Sequence, residues 1–105
     1  MILVTTPDVP GESIKETLGL VKGEIVQSKN VGRDLMAGMK TIVGGEVKSY
    51  TDMIREARQV ATERMINEAE ALGADAIVSV RYGSSAIMQG AAEIIAYGTA
   101  IKLKK

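Results

Sequence analysis

Residues 30–82 decide the fold, and they read NVGRDLMAGMKTIVGGEVKSYTDMIREARQVATERMINEAEALGADAIVSVRY. Asn30 is a good N-cap, and the apolar residues after it predict a short amphipathic helix that ends at Gly44-Gly45. A second pattern of helical period predicts a long helix from near Thr51 to Leu72-Gly73. The predicted buried stripe of this helix is Ile54, Ala57, Val60, Ala61, Met65, Ala69 and Leu72. Its alanines let the helix backbone sit close to whatever it packs on, which we expect to be a sheet.

Two strands are predicted before the helices. Met1–Thr6 is short, apolar and β-branched, which favours a first strand. Residues 14–28 also have strand character, but the adjacent apolar pair Leu20-Val21 breaks the alternation. We therefore expect a bulge or bend near Gly19 or Gly23, which would restore a consistent buried face.

Two more strands are predicted after the long helix. Alternating residues from Asp75 to Tyr82 predict the first of them, and residues 91–103 predict the second. Gly83-Ser84-Ser85 predicts a turn or flexible loop, and residues 83–90 are the polar-lined stretch best suited to closing over a ligand. Strands, two helices and two further strands together predict a two-layer α+β fold with a largely antiparallel sheet.

The composition limits the functional classes. A chain of 105 residues predicts a single domain spanning residues 1–105. Lys plus Arg and Asp plus Glu number 13 each, so the clustered cations that nucleic-acid binding needs are not expected. The basic tail of Lys102, Lys104 and Lys105 is interpreted as a solvated chain end rather than an anion site. Without Phe or Trp, the chain offers little aromatic surface for holding a flavin or nucleobase, so no cofactor is predicted.

The residues that are absent also restrict chemistry and location. The chain has no cysteine and no histidine, which excludes a thiolate nucleophile, a disulfide framework and a serine–histidine mechanism. Gly44-Gly45 follows a helix rather than joining a strand to a helix, so it does not predict a phosphate loop. The first residues do not resemble a signal peptide, and no apolar run approaches the ~20 residues that span a bilayer. We therefore predict a cytoplasmic protein that is not an enzyme and has no membrane partner.

Several predicted strands are apolar on both faces. Ile77-Val78, Ile94-Ile95, Leu20-Val21 and Ile25-Val26 each place one apolar residue on either side of the sheet. A single long helix covers only one face of a small sheet, so the other face must meet something else. We predict that it meets another copy of the chain. The alternative is a monomer in which the short helix covers the second face.

The chain resembles the YbjQ-like family, whose members are small bacterial and archaeal proteins of uncharacterised function. The resemblance rests on Asn30, Arg33-Asp34, Gly38, Ile42-Val43-Gly44-Gly45, Tyr50, Ala71–Ile77 and Gly98-Thr99-Ala100. It extends over essentially the whole chain. It implies a β-α-β-β core, similar to the dodecin subunit, with extra short strands that join subunits into a ring, typically a homopentamer. The family also carries a heavy-metal-binding label.

Five residues stand out as candidates for an interface or a pocket: Asn30, Arg33, Asp34, Tyr50 and Asp75. In a ring they could line a pocket or fix the register of the subunits, and the second use is favoured. The predicted partners are therefore other copies of the chain, with a small ligand or a metal ion as a further candidate.

Metal binding would have to use methionine or carboxylate ligands. The methionines are Met1, Met36, Met39, Met53, Met65 and Met88. The carboxylates considered are Asp34, Asp52, Glu56 and Asp75. Core packing explains methionines on apolar helix faces, and capping or ion pairing explains carboxylates at helix starts or beside basic residues. The sequence thus favours a homo-oligomeric binding or scaffold protein, with a metal-binding protein as the alternative.

Overall fold

The computed structural model describes residues 1–28 and 48–105. Four strands form one sheet: β1 (Ile2–Leu3), β2 (Ile14–Ser28), β3 (Ala76–Met88) and β4 (Ala91–Leu103). One helix, α1 (Lys48–Ala71), is present in the described residues. The short helix predicted after Asn30 lies outside these ranges.

The sheet is mixed and has the order β1-β3-β4-β2. β3 and β4 form an antiparallel hairpin, and β2 runs antiparallel to β4 along the other side. β1 pairs in parallel with the start of β3. The α+β class and the largely antiparallel sheet are confirmed, and the short parallel strand was not anticipated.

Helix α1 lies against β2 and β4 through a narrow stripe of small and flexible side chains. Met53, Ala57, Ala61, Met65 and Ala69 recur every four residues and are at most 2% exposed. Residues four apart are neighbours on a helix face, and each step turns the stripe by only about 40° around the helix axis. Small residues allow the helix and the sheet to approach closely.

The ends of α1 differ from the prediction. The helix begins at Lys48 instead of near Thr51, and its first turn contains no acidic residue. Leu72, predicted to be buried, is 46% exposed. The helix has already ended there, because Gly73 takes the left-handed conformation with φ +79° and the turn directs Leu72 away from the stripe.

Gly23 of β2 marks the closest approach of helix and sheet. A Cβ atom at this position would overlap the carbonyl oxygen of Ala61 and the amide nitrogen of Met65, and would lie 2.8 Å from Cβ of Arg64. Two of these atoms belong to the helix backbone, so no side-chain rotation could relieve the overlap. The glycine therefore sets the distance between the two layers.

The second face of the sheet is covered in part by the segment between β1 and β2. Val9, 8% exposed, packs with Ala76, Val78, Ile101 and Leu103, and Val4 supports the same cluster. This cover was missed in the sequence, where only a helix or another subunit was considered.

Three strand predictions can be compared with the structure. The predicted bulge is confirmed, since the pairing of β2 with β4 shifts between Thr17 and Gly19. Strand β1 is shorter than Met1–Thr6, because the chain bends after Leu3, although Val4 N–H still donates to the Ile77 carbonyl. The third prediction, an alternating strand that starts near Asp75, is confirmed by β3.

The prediction of a loop at Gly83-Ser84-Ser85 is wrong. These residues continue β3 and pair with Ile95, Ile94 and Glu93. A Cβ on Gly83 would lie 3.2 Å from Cγ2 of Ile95, so the glycine accommodates this neighbouring side chain and does not turn the chain. The hairpin turns later, at Gln89-Gly90.

Within the described ranges, no helix is long and apolar enough to cross a membrane.

Candidate functional site

The sheet face opposite α1 carries exposed apolar side chains beyond the region that Val9 covers. Leu20 is 67% exposed, Val26 59% and Tyr97 39%. Directly paired residues of antiparallel strands share a face, which places Lys22 beside Tyr97 and Val26 beside Glu93. We call the surface formed by Leu20, Lys22, Glu24, Val26, Glu93, Ile95 and Tyr97 the open face. It combines apolar and charged groups, and its Lys22 and Glu24 form an ion pair of 3.8 Å.

The outer edge of β2 is partly occupied by side chains of α1. Glu68 Oε1 accepts the backbone N–H of Lys22 at 3.3 Å, and Arg64 Nη1 donates to the carbonyl of Glu24 at 2.6 Å. Glu68 and Arg64 are one helical turn apart, so both reach over the same edge. Side chains that form hydrogen bonds with the unpaired backbone groups of an edge strand hinder its pairing with a further strand. Neither residue was singled out from the sequence.

The outer edge of β3 is more open. The Val4 carbonyl accepts a hydrogen bond from the N–H of Val80, and the Thr6 carbonyl accepts one from the N–H of Ser79. Beyond Val80, no described strand pairs with this side of β3. Ile87 and Met88, close to the hairpin turn, are 51% and 68% exposed. A long edge with exposed apolar side chains favours association with another chain.

The structure separates the two predicted site residues that it describes. Tyr50 is half-buried in the first turn of α1, whereas Asp75 follows the end of the helix. Tyr50 lies 21 positions before Ala71, the last residue of α1, which corresponds to about 32 Å of helix, so the side chains of Tyr50 and Asp75 do not share a site. Asn30, Arg33 and Asp34, the other predicted residues, lie outside the described ranges.

Asp75 holds together the end of β4 and the start of β3. Its Oδ2 accepts the N–H of Leu103 at 2.9 Å, and its own N–H donates to the carbonyl of Ile101 at 2.9 Å. A structural role therefore accounts for this residue.

Beside Asp75 lies an open cavity of about 550 Å³. It is lined by Lys15, Gly73, Asp75, Lys102, Leu103, Lys104 and Lys105. The interpretation of the basic tail as a solvated chain end needs correction, because Lys102 belongs to β4 and Lys104 N–H donates to the Ser13 carbonyl at 2.8 Å. We call this space the lysine cavity.

A smaller cavity of about 140 Å³ lies between α1 and β3. Tyr82 and Arg58 contribute to its lining, and the Tyr82 hydroxyl lies 2.9 Å from Oγ1 of Thr62. Since Thr62 donates its proton to the Arg58 carbonyl, Tyr82 is the donor to Thr62. The bond fixes β3 to the helix.

The acidic side chains and the methionines can be placed for the part of the chain that the structure describes. No three acidic side chains come together in residues 1–28 and 48–105. Met53 and Met65 are 2% and 0% exposed and belong to the packing beneath α1, whereas Met1 and Met88 are exposed. The interpretation of Met65 as a core residue agrees with this placement.

Nearly the whole chain matches a known protein family. A family model of YbjQ-like proteins, described as "Putative heavy-metal-binding", matches residues 1–104. The chain belongs to the YbjQ-like family. The resemblance noted from the sequence is thereby confirmed.

Close relatives of this YbjQ-like chain occur in distant bacteria. A UPF0145 protein of Thermotoga maritima is 60% identical over 105 residues, which is 100% of this chain and 99% of the relative. The corresponding protein of Thermosipho melanesiensis is 64% identical over 98% of this chain and 95% of its own length. That of Photobacterium profundum is 61% identical over 98% of this chain and 100% of its own. None of these names states an activity.

The fold also has a solved counterpart. A protein of unknown function from Pediococcus pentosaceus, assigned to the DUF74 family, is similar with a TM-score of 0.61 over 99% of this chain and 98% of its own. The two sequences are 18% identical, so the comparison concerns the fold alone.

Proposed function

We propose that this YbjQ-like chain is a cytoplasmic, non-enzymatic subunit of a homo-oligomeric ring, a pentamer, that acts as a binding or scaffold module. The open face is the observation that carries this proposal. Leu20 and Val26 leave more than half of their side-chain surface in contact with water. Exposed apolar groups on a sheet face are typical of a surface that another protein covers.

The shape of the chain supports a ring. Its radius of gyration is 17.0 Å, against about 13 Å for a compact domain of this length. The outer edges of β2 and β3 lie on opposite sides of the sheet. Contacts between unlike surfaces on opposite sides of a subunit are head-to-tail, and they close into a ring when the rotation permits. Neighbouring copies of the chain occupy the open face and the free part of the β3 edge, while Arg64 and Glu68 make the β2 edge an unlike surface without a free strand edge.

The proposal predicts a multimer that depends on the open face. Native mass spectrometry of the wild-type protein at micromolar concentration should give a fivefold multiple of the chain mass. The double variant Leu20→Lys/Val26→Lys should give mainly the monomer, because each lysine would carry a charge into the interface. Both sites are exposed in the single chain, so its fold should tolerate the substitutions.

Leu72→Lys is the matched control. Leu72 is a comparably exposed apolar residue, but it lies at the end of α1 and away from the open face. This variant should keep the mass of the wild-type assembly. A wild-type protein that is monomeric under the same conditions would refute the ring, and loss of the assembly in both variants would refute the placement of the interface.

Metal-ion binding is the alternative function, and the description of the family model favours it. Its ligands would be carboxylates or methionines brought together where subunits meet. For a scaffold without a resident metal, elemental analysis of protein purified without chelator from metal-rich medium should find less than about a tenth of an ion per chain. A stoichiometric amount of one metal would instead support the alternative.

A further inference from the structure

We propose that the lysine cavity binds a polyanion of the phosphate class, with inorganic tripolyphosphate as its simplest representative. The cavity gathers a large share of the positive charge of a chain whose net charge is zero. Four of the 13 cationic side chains, Lys15, Lys102, Lys104 and Lys105, line it together with one carboxylate, Asp75. Positive side chains therefore outnumber negative ones in the lining of the cavity.

Within the described ranges, these ammonium groups form no ion pair with a carboxylate. The ion pair found there joins Lys22 to Glu24, on the open face and outside the cavity. Asp75 directs one carboxylate oxygen at the backbone N–H of Leu103, and Glu16 is paired with Lys102 across the strands. The lysines still outnumber these carboxylates, and a cluster of positive charge attracts an anion.

The sheet holds the backbone that carries the lysines. Lys102 is part of β4, and the Lys104 N–H bond to Ser13 fixes the residue after the strand. Lys15 is the additional residue where the pairing of β2 with β4 shifts between Ile14 and Glu16. A bulge redirects a side chain relative to its neighbours, and here the bulged residue lines the cavity.

The lining also indicates the chemistry of the ligand. The volume of about 550 Å³ lies within the usual range for small-molecule sites. Lysine ammonium groups act as point charges that suit phosphate oxygens. Among the described residues that line the cavity none is aromatic, so they offer no surface on which a nucleobase could stack. A phosphate chain should supply the binding, and an attached base should add nothing.

Calorimetric titration at low ionic strength tests the proposal, with tripolyphosphate and ATP as probes. We expect saturable binding of tripolyphosphate at one site per chain, and ATP should bind no more tightly. Lys15→Gln/Lys104→Gln should weaken binding about tenfold, because it removes two exposed charges from the cavity. The control Arg55→Gln/Arg58→Gln removes two exposed charges of α1, away from the lysine cavity and the open face, and should leave the affinity within twofold of the wild type.

The substitution Asp75→Asn should change the affinity for tripolyphosphate in the opposite direction. The amide oxygen can still accept the Leu103 N–H, while the negative charge in the cavity is lost. Tripolyphosphate should then bind about threefold more tightly, which a merely structural role of Asp75 would not produce. The proposal would be overturned by absence of saturable binding, by equal weakening in both double variants, or by no tightening in Asp75→Asn. Tighter binding of ATP or of a single-stranded oligonucleotide than of tripolyphosphate would also overturn it.

Discussion

Replacing Gly23 by alanine should lower the free energy of unfolding by about 3 kcal/mol, at the upper end of the usual cost of overpacking. The added methyl group would overlap backbone atoms of Ala61 and Met65. Since a backbone cannot rotate out of the way, α1 would have to move away from β2. That movement would loosen contacts along the alanine stripe, including those of the fully buried Ala57 and Ala69.

Thermal unfolding followed by circular dichroism at one fixed protein concentration measures this effect. A loss of this size should lower Tm by roughly 10–25 °C in a domain of about 100 residues. Glu56→Ala, at an exposed position of α1 outside the open face, should change the free energy of unfolding by less than about 0.5 kcal/mol. Equal stabilities of Gly23→Ala and Glu56→Ala would contradict the close contact between helix and sheet.

Truncation of Met65 to alanine should also cost about 3 kcal/mol of the free energy of unfolding. Met65 is 0% exposed and lies in the cluster that joins α1 to Val21, Ile94 and Ala96. Its removal would leave a cavity that the neighbouring alanines are too short to fill. Chemical denaturation in guanidinium gives the loss directly from the shift of the midpoint.

Two companion variants show whether packing alone explains Met65. Met65→Leu nearly conserves the volume and should cost less than about 1.5 kcal/mol. Met88→Ala removes a methionine that is 68% exposed and should have little effect on the single chain. If Met65→Leu were as damaging as Met65→Ala, the thioether sulfur would have a role beyond filling space, and the metal-binding alternative would gain support.

Local patterns were sufficient to predict the main elements. The four-residue spacing of Ala57, Ala61, Met65 and Ala69 identified the buried side of α1, and alternation identified β3 and β4. The error at Gly83 arose because glycine and serine are common in turns. Here a cross-strand partner, Ile95, occupies the space over the glycine and the strand continues. Such a partner is distant in sequence and gives no local signal.

The candidate site was less predictable than the fold. Asp75 was predicted to be an interface or pocket residue, which stays a prediction, and the structure gives it a contact with the backbone of Leu103, 28 residues away. Tyr50 and Asp75 were grouped by their family pattern, yet they lie at opposite ends of a 24-residue helix. Arg64 and Glu68 were not singled out in the sequence, and only the position of β2 gives them a role at its edge.

The sequence by itself determined the α+β class, the long helix with its apolar stripe, the strands of the hairpin and the family. These properties follow from spacing along the chain, because helices and strands repeat at fixed local periods. Tertiary structure alone decided the parallel β1, the cover of the second face by Val9, the closest approach at Gly23 and the grouping of four lysines around one cavity. Each of these depends on the distance between residues remote in sequence, which packing of the sheet and helix establishes and no local pattern records.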